Sequence, residues 1–266
     1  MKFNYKPLPI EFNTNSHRYK LEGIPMIGTT TVLGMRNKAF LMFWTVKEMY
    51  KYLTKNWDIK KTYTKKEKDE LLLLGKKAWT VKKDVALDSG KICHILIQKS
   101  IEENKRWKSE NLNYDNEQVQ KEVRSSYQAF LDWEKTCKIK YLETELIVGS
   151  KTHYVGGTID CIAEVDGQLE AIDWKTSSRI SDDSFLQLAS YKMMLLEGGV
   201  DEKIRRRVVR FSKIGEGFEE ISIKSNYIED RDTFLALLKT YRWNRDTKKN
   251  FTNRQGKLRT STKKES

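Results

Sequence analysis

The chain has 266 residues, of which 33% are charged, with a formal net charge of +13 and a pI near 9.4. That length builds one large domain or two small ones around a real core, without staples. Three scattered cysteines (Cys93, Cys137, Cys161) exclude a disulfide framework, a zinc cage and an iron–sulfur cluster, and fit a reducing, cytoplasmic setting. The opening "MKFNYKPLPIEFN" lacks a signal-peptide core, and "LLLL" at Leu71–Leu74 is far too short to span a membrane. No membrane association is expected. The positive balance favours a polyanionic partner; a lysine-rich solvated surface explains it equally well.

Residues 16–33, "SHRYKLEGIPMIGTTTVL", read as a hairpin turning at Glu22-Gly23, with the β-branched run "MIGTTTV" favouring strand. Residues 36–56 carry aromatics at helical spacing, and 58–88 is a lysine-rich helical stretch. A separate helix over 87–103, "LDSGKICHILIQKSIEE", is entered through Asp88 and Ser89, with His94, Ile97 and Ile101 on one face. A further helix covers 116–137. The period then changes to two. Strands are expected at 141–150, 157–165 and 169–177, the last two joined by an Asp166-Gly167 turn. A helix at 181–199, strands in "IRRRVVRFS" and "FEEISIK", and a helix at 230–244 complete the order. This is an α/β core with an N-terminal helical subdomain. Residues 1–245 read as one domain, mostly helical over 36–137 and sheet core over 138–245. Residues 246–266 read as a basic, flexible tail.

Alternation puts Asp173 and Lys175 on one face of their strand and Ile172 and Trp174 on the other. Asp160, on the preceding strand, can lie across the hairpin. Two such carboxylates repel unless a cation sits between them, and Mg²⁺ or Mn²⁺ suits oxygen ligands. An isolated D-x-K on a strand is more simply read as a structural ion pair. Three features shift that balance: Gln187 and Tyr191 four apart on one helix, His94 on an apolar helical face, and the surplus of basic and aromatic residues nearby.

The ordered set "GKICH" (90–94), "GTID" (157–160), "IDWKTS" (172–177) and "QLASY" (187–191) resembles the RecB-like branch of the PD-(D/E)XK nucleases, especially phage-type exonucleases and the mitochondrial genome maintenance exonuclease. The resemblance covers about 90–191, with weaker support over 16–33. It implies a restriction-endonuclease-like core, a central mixed sheet flanked by helices. It implies that His94, Asp160, Asp173 and the main-chain carbonyl of Trp174 hold the metal. Lys175 would orient or activate the attacking water and stabilise phosphate charge, with Gln187 and Tyr191 supporting the site or the DNA backbone. Glu145, on the strand before the hairpin, is a candidate additional carboxylate or a solvated one; alternation places it with Glu143 and Ile147. The Pro-Asp of the superfamily name is replaced by Ile159-Asp160.

The expected activity is therefore Mg²⁺- or Mn²⁺-dependent hydrolysis of DNA phosphodiesters, at single-stranded ends, in phage-type recombination, replication or repair. No G-x-x-x-x-G-K-[ST] occurs, so no nucleotide is expected. Lysines and aromatics of the helical part, Lys76, Lys77 and Trp79 among them, would guide the strand. The alternatives are a structure-specific endonuclease of the same fold and a non-catalytic DNA-binding protein.

Overall fold

The architecture is that of a computed structural model that describes residues 3–36 and 39–254. Near the N-terminus, β1 (Ile10–Asn13), β2 (Arg18–Leu21) and β3 (Ile24–Pro25) form a small antiparallel sheet. Glu22 and Gly23 both have positive φ, as a two-residue type I′ turn requires. The run expected to continue as strand does so only at β4 (Ile27–Gly28). "TTTVL" instead coils into α1 (Thr29–Leu33). Tertiary bonds override the β-branched preference: the Thr29 hydroxyl reaches the Gly156 carbonyl (3.3 Å) and the Ser190 hydroxyl (3.2 Å).

Two long helices follow, α2 (Ala39–Asn56) and α3 (Lys65–Glu102), and α2 packs along the first half of α3. The expected break at Asp88-Ser89 does not exist. Ser89 is buried and donates to Glu122 (2.6 Å) rather than capping a helix. The true start is a capping box in "TKKE". The Thr64 hydroxyl accepts the Glu67 N–H, and the Glu67 carboxylate accepts the Thr64 N–H. Asn116 caps α4 (Glu117–Glu134), so Cys137 lies beyond the helix.

The main sheet comprises β4, β5 (Ile139–Ser150), β6 (Val155–Val165), β7 (Gln168–Lys175), β8 (Arg205–Phe211) and β9 (Phe218–Ile223). Asp166 and Gly167, both at positive φ, join β6 to β7. β8 runs parallel to β7, so the connection needs a crossover, and α5 (Asp182–Glu197) supplies it. The last helix, α6 (Tyr227–Arg254), starts earlier than expected and extends into the basic segment read as tail. Residues 255–266 of that segment lie outside the described residues. No described helix is long and apolar enough to cross a membrane.

Helices cover both faces. On one, α1, α5 and α6 bury Ile162, Leu169, Ala171 and Val208. On the other, α3 and α4 bury Cys161, Ala163, Ile172 and Val209, beside the aromatic group Phe130, Trp133, Trp174 and Phe211. The run "RRRVVR" is also interior. Arg206 pairs with Asp230 (2.6 Å), Arg207 with Glu170 and Glu220, and Arg210 with Glu219 (2.8 Å). Burial of such charges is tolerable only with these partners.

Candidate active site

The site forms where two paired strands part. The β6–β7 ladder runs from Val165↔Gln168 to Cys161↔Ile172 and stops, and β4 takes over the same edge at Val155–Gly156. Asp160 is the first position beyond the ladder. Its Oδ2 accepts the Trp174 N–H at 2.6 Å, so a carboxylate stands where the neighbouring backbone would have been. The side-chain alternation changes step here. Gly157 and Ile159 face the α5 layer, whereas Cys161 and Ala163 face the α3/α4 layer.

Across from Asp160 on β5 lies Glu145, between the pairs Thr144↔Cys161 and Leu146↔Ile159. Its φ is +48°, a left-handed backbone that costs a non-glycine residue about 1–2 kcal/mol. The pairing register stays continuous there, from Glu143↔Ile162 to Ile147↔Thr158, but alternation breaks: Thr144 bonds Glu102 of α3, and Glu145, next in sequence, also lies on the α3 side beside His94. His94, reaching from α3, places Nδ1 3.6 Å from Asp160 Oδ1. One ligand atom from each of His94, Glu145 and Asp160 lies within 4.8 Å of the other two, a set able to hold a metal ion.

Beside this trio runs a second chain of contacts. Asp173 is 1% exposed. Lys175 Nζ donates to its Oδ1 (2.9 Å), stands 2.7 Å from its Oδ2, and donates to Gln187 Oε1 (3.0 Å). Gln187 Nε2 in turn donates to the Tyr191 hydroxyl (2.9 Å). The four-residue spacing on α5 is what aligns Gln187 over Tyr191. Asp173 Oδ2 receives no well-aligned hydrogen bond, only the nearby ammonium.

Gly157 makes this arrangement possible. A Cβ there would stand 2.5 Å from Tyr191 Cε1 and 3.2 Å from Thr29 Oγ1. Gly157→Ala is therefore expected to push Tyr191 off Gln187 and loosen Lys175. The outcome is a fall in turnover of at least about tenfold with divalent-ion affinity near wild type, since neither His94 nor Asp160 moves. Paired metal titrations and rate measurements check this; unchanged turnover would show that the ring is not needed there.

Burial and neighbouring charge pull the titrating groups apart. Asp173 is raised to about 6, first by burial and further by Asp160, with Lys175 opposing. Glu145 is raised to about 7, chiefly by burial and then by Asp160. For Asp160, burial pushes up, but His94, Lys175 and the Trp174 N–H together hold it below its usual value. Burial pulls down on His94 and Lys175, yet the carboxylates beside them raise both. Two groups of one kind with divergent proton affinities are what acid–base and metal chemistry use.

The sequence pattern of the PD-(D/E)XK nuclease superfamily matches residues 74–258, well over half of the chain. The chain belongs to the PD-(D/E)XK nuclease superfamily. Members are metal-dependent nucleases, so a nucleic-acid phosphodiester, DNA, is the substrate class this superfamily implies. No curated protein matches. Among solved structures, the crystal structure of SSO0001 aligns over 76% of this chain and 84% of that chain, at 14% identity and a TM-score of 0.25.

The side chains present fit a divalent ion. Divalent ions of this kind take hard oxygen and imidazole donors, and His94, Glu145 and Asp160 offer them within one small volume. Asp173, with its poorly satisfied Oδ2, stands alongside rather than within that trio. The Trp174 N–H is taken up by Asp160. Lys76 and Lys77 are exposed on α3, far from this centre. Trp79 is half-buried between α3 and α2, its ring edge-on to Trp44 (6.4 Å) and under Lys83. Two further residues, outside the four motif segments of the sequence, support the site. Tyr19 packs over Gly156 and bonds Thr158 (2.9 Å), two residues before Asp160. Arg36 pairs with Asp183 (2.6 Å) at the start of α5. The glycines in "GGTID" were the available signal for the first; nothing local marks the second.

Proposed function

We propose that this nuclease is a Mg²⁺- or Mn²⁺-dependent exonuclease of the RecB-like, phage-type branch, trimming single-stranded DNA ends in recombination, replication or repair. The observation that carries the reading is the meeting of His94, Glu145 and Asp160 at one point, with the Asp173–Lys175 pair beside it. In this reading His94, Asp160, Asp173 and the Trp174 carbonyl hold the ion, with Glu145 as an added carboxylate. A divalent ion bound there supplies Lewis-acid polarisation of the phosphoryl group and acidifies a water. Lys175, fixed by Asp173 and Gln187, offers its ammonium to the charge that develops on the phosphate. Tyr191 keeps Gln187, and through it Lys175, in place.

The α2–α3 pair supports action on a strand. Lys76 and Lys77 lie 17–18 residues before His94 on one continuous helix, about 25 Å along its axis. On α2, Phe43 and Tyr50 are 73% and 70% exposed, and stacked bases favour such rings beside lysines. Strand ends, which need threading rather than wrapping, suit an arm of this kind.

The test offers end-labelled linear single-stranded, linear double-stranded and circular single-stranded DNA with Mg²⁺, Mn²⁺ or EDTA. Mononucleotides or short products from linear single strands, with circles intact, are expected. Cut circles would instead assign a structure-specific endonuclease, and binding without cleavage would assign a scaffold. In the same assay, Lys76→Gln with Lys77→Gln should reduce the salt dependence of binding by roughly two phosphate contacts.

A further inference from the structure

Lys213, in the turn after β8, belongs to no motif of the sequence, yet it holds the helix that carries His94. Its ammonium donates to the Ala86 carbonyl (2.6 Å) and the Ser89 hydroxyl (2.8 Å), and stands 3.5 Å from Glu122 Oε2. Two of the ammonium's three donors are bonded to α3 acceptors, and the Glu122 carboxylate pairs with its charge. Ser89 also donates to Glu122 (2.6 Å), whose other oxygen accepts from Gln118 (2.9 Å). Ser125 fixes the same turn to α4, donating to the Ser212 carbonyl (2.7 Å) and accepting from the Gly215 N–H (2.8 Å). One cation thus joins α3, α4 and the β8–β9 turn.

The place of this knot on α3 gives it consequence. α3 is 38 residues long, and its first half packs along α2 rather than on the sheet. Where α3 passes from α2 to the core, at Ala86–Gly90, Lys213 and Thr176 lie against it. A Cβ on Gly90 would stand 3.0 Å from Thr176 Oγ1 and 3.9 Å from Lys213 Nζ, so the helix backbone lies close against the residue that follows Lys175. His94 is the next residue on that face, four positions and about 6 Å further along. A small slide or tilt at Gly90 moves the imidazole relative to Asp160.

We propose that Lys213 is a positioning residue: by tying Ala86 and Ser89 of α3 to the sheet, it sets the place of His94 opposite Asp160 and hence the affinity of the site for its divalent ion. The inference rests on the metal-dependent reading above. Partners that orient metal ligands are commonly worth 10–100-fold in metal affinity.

The experiment is a Mn²⁺ binding titration without DNA, on the full chain, for wild type, Lys213→Met, Lys213→Arg, His94→Ala and the double variant. Methionine keeps the aliphatic stem and removes the donors. Expected is a roughly tenfold weaker Mn²⁺ affinity for Lys213→Met, with turnover at saturating Mn²⁺ close to wild type, and recovery in Lys213→Arg. In the His94→Ala background Lys213→Met should cost nothing further, because its effect passes through the imidazole. Unchanged affinity in Lys213→Met, or the same loss with and without His94, overturns the inference. Should Lys213→Met not fold, Ser89→Ala removes one of the two α3 acceptors, and wild-type affinity there overturns it equally. A wild-type protein that binds no Mn²⁺ overturns the metal-site reading itself; wild-type binding with an indifferent Lys213→Met overturns the Lys213 role alone.

Discussion

Asp173→Asn should lower divalent-ion-dependent DNA cleavage by about 10³-fold or more while the chain stays folded. The two expectations have separate causes. Asp173 is buried and provides the carboxylate nearest the Lys175 ammonium, with both oxygens within 3 Å of Nζ. Asparagine preserves size and can still accept from Lys175, but it carries no charge to anchor the ammonium or to help hold an ion. Folding suffers little, because burial already penalises the ionised form of Asp173 and raises it to about 6. Removing that charge removes the penalty. Lys175 keeps Gln187 as a partner and Asp160 as a neighbouring negative charge. Lys175→Met makes the contrast. It leaves Asp173 buried beside Asp160 without its ammonium partner, so it should lose activity and stability together, by about 3 kcal/mol at pH 8 in the absence of metal. Rates on end-labelled DNA and thermal melts with EDTA separate the two variants. An active Asp173→Asn would remove Asp173 from the chemistry.

The sheet core was legible because its signals are local. Asp166-Gly167 needs two positive φ values and has them, and two-residue alternation on β7 puts Asp173 and Lys175 on one face and Ile172 and Trp174 on the other. The Gln187–Tyr191 spacing on α5 likewise became a contact. What escaped depends on partners remote in sequence. Ser89 reads as a helix cap until its hydroxyl is seen to donate to Glu122, 33 residues away. "TTTVL" favours strand until Ser190 and the Gly156 carbonyl claim Thr29. Glu145 follows no periodic rule, because its left-handed backbone belongs to the place where β6 changes step. The four short segments that resembled the nucleases were enough for the superfamily, which the match over residues 74–258 shows. They said nothing of the arm's continuity, since a 38-residue helix without an internal cap looks like two shorter ones.

The stabilisation conferred by Mg²⁺ or Mn²⁺ should grow as pH rises from about 5.5 to 8. Asp173, raised to about 6, and Glu145, raised to about 7, both bind protons more tightly in the folded chain than the usual unfolded values near 4. Between those limits the native state therefore holds more protons than the unfolded state, and stability contributed by these groups falls with rising pH. His94, also raised, acts in the same direction; its stabilising share is lost as pH climbs through its folded value. Asp160 has the opposite sign, but its lowered value confines its effect to more acid conditions, below the ordinary carboxylate range. A divalent ion reverses the trend. It competes with the very protons these groups retain, so binding is weak where Asp173 and Glu145 are protonated and strong where they are ionised. Since stabilisation follows the ratio of ion concentration to dissociation constant, the gap between melting temperatures with metal and with EDTA widens with pH. Glu145→Gln removes the group that titrates highest among the carboxylates and should flatten the curve between about pH 6.5 and 8, leaving the lower part to Asp173. Melts across that range, with and without the ion, decide the matter. A gap that stays constant, or narrows with pH, would mean that these carboxylates do not share their protons with a metal.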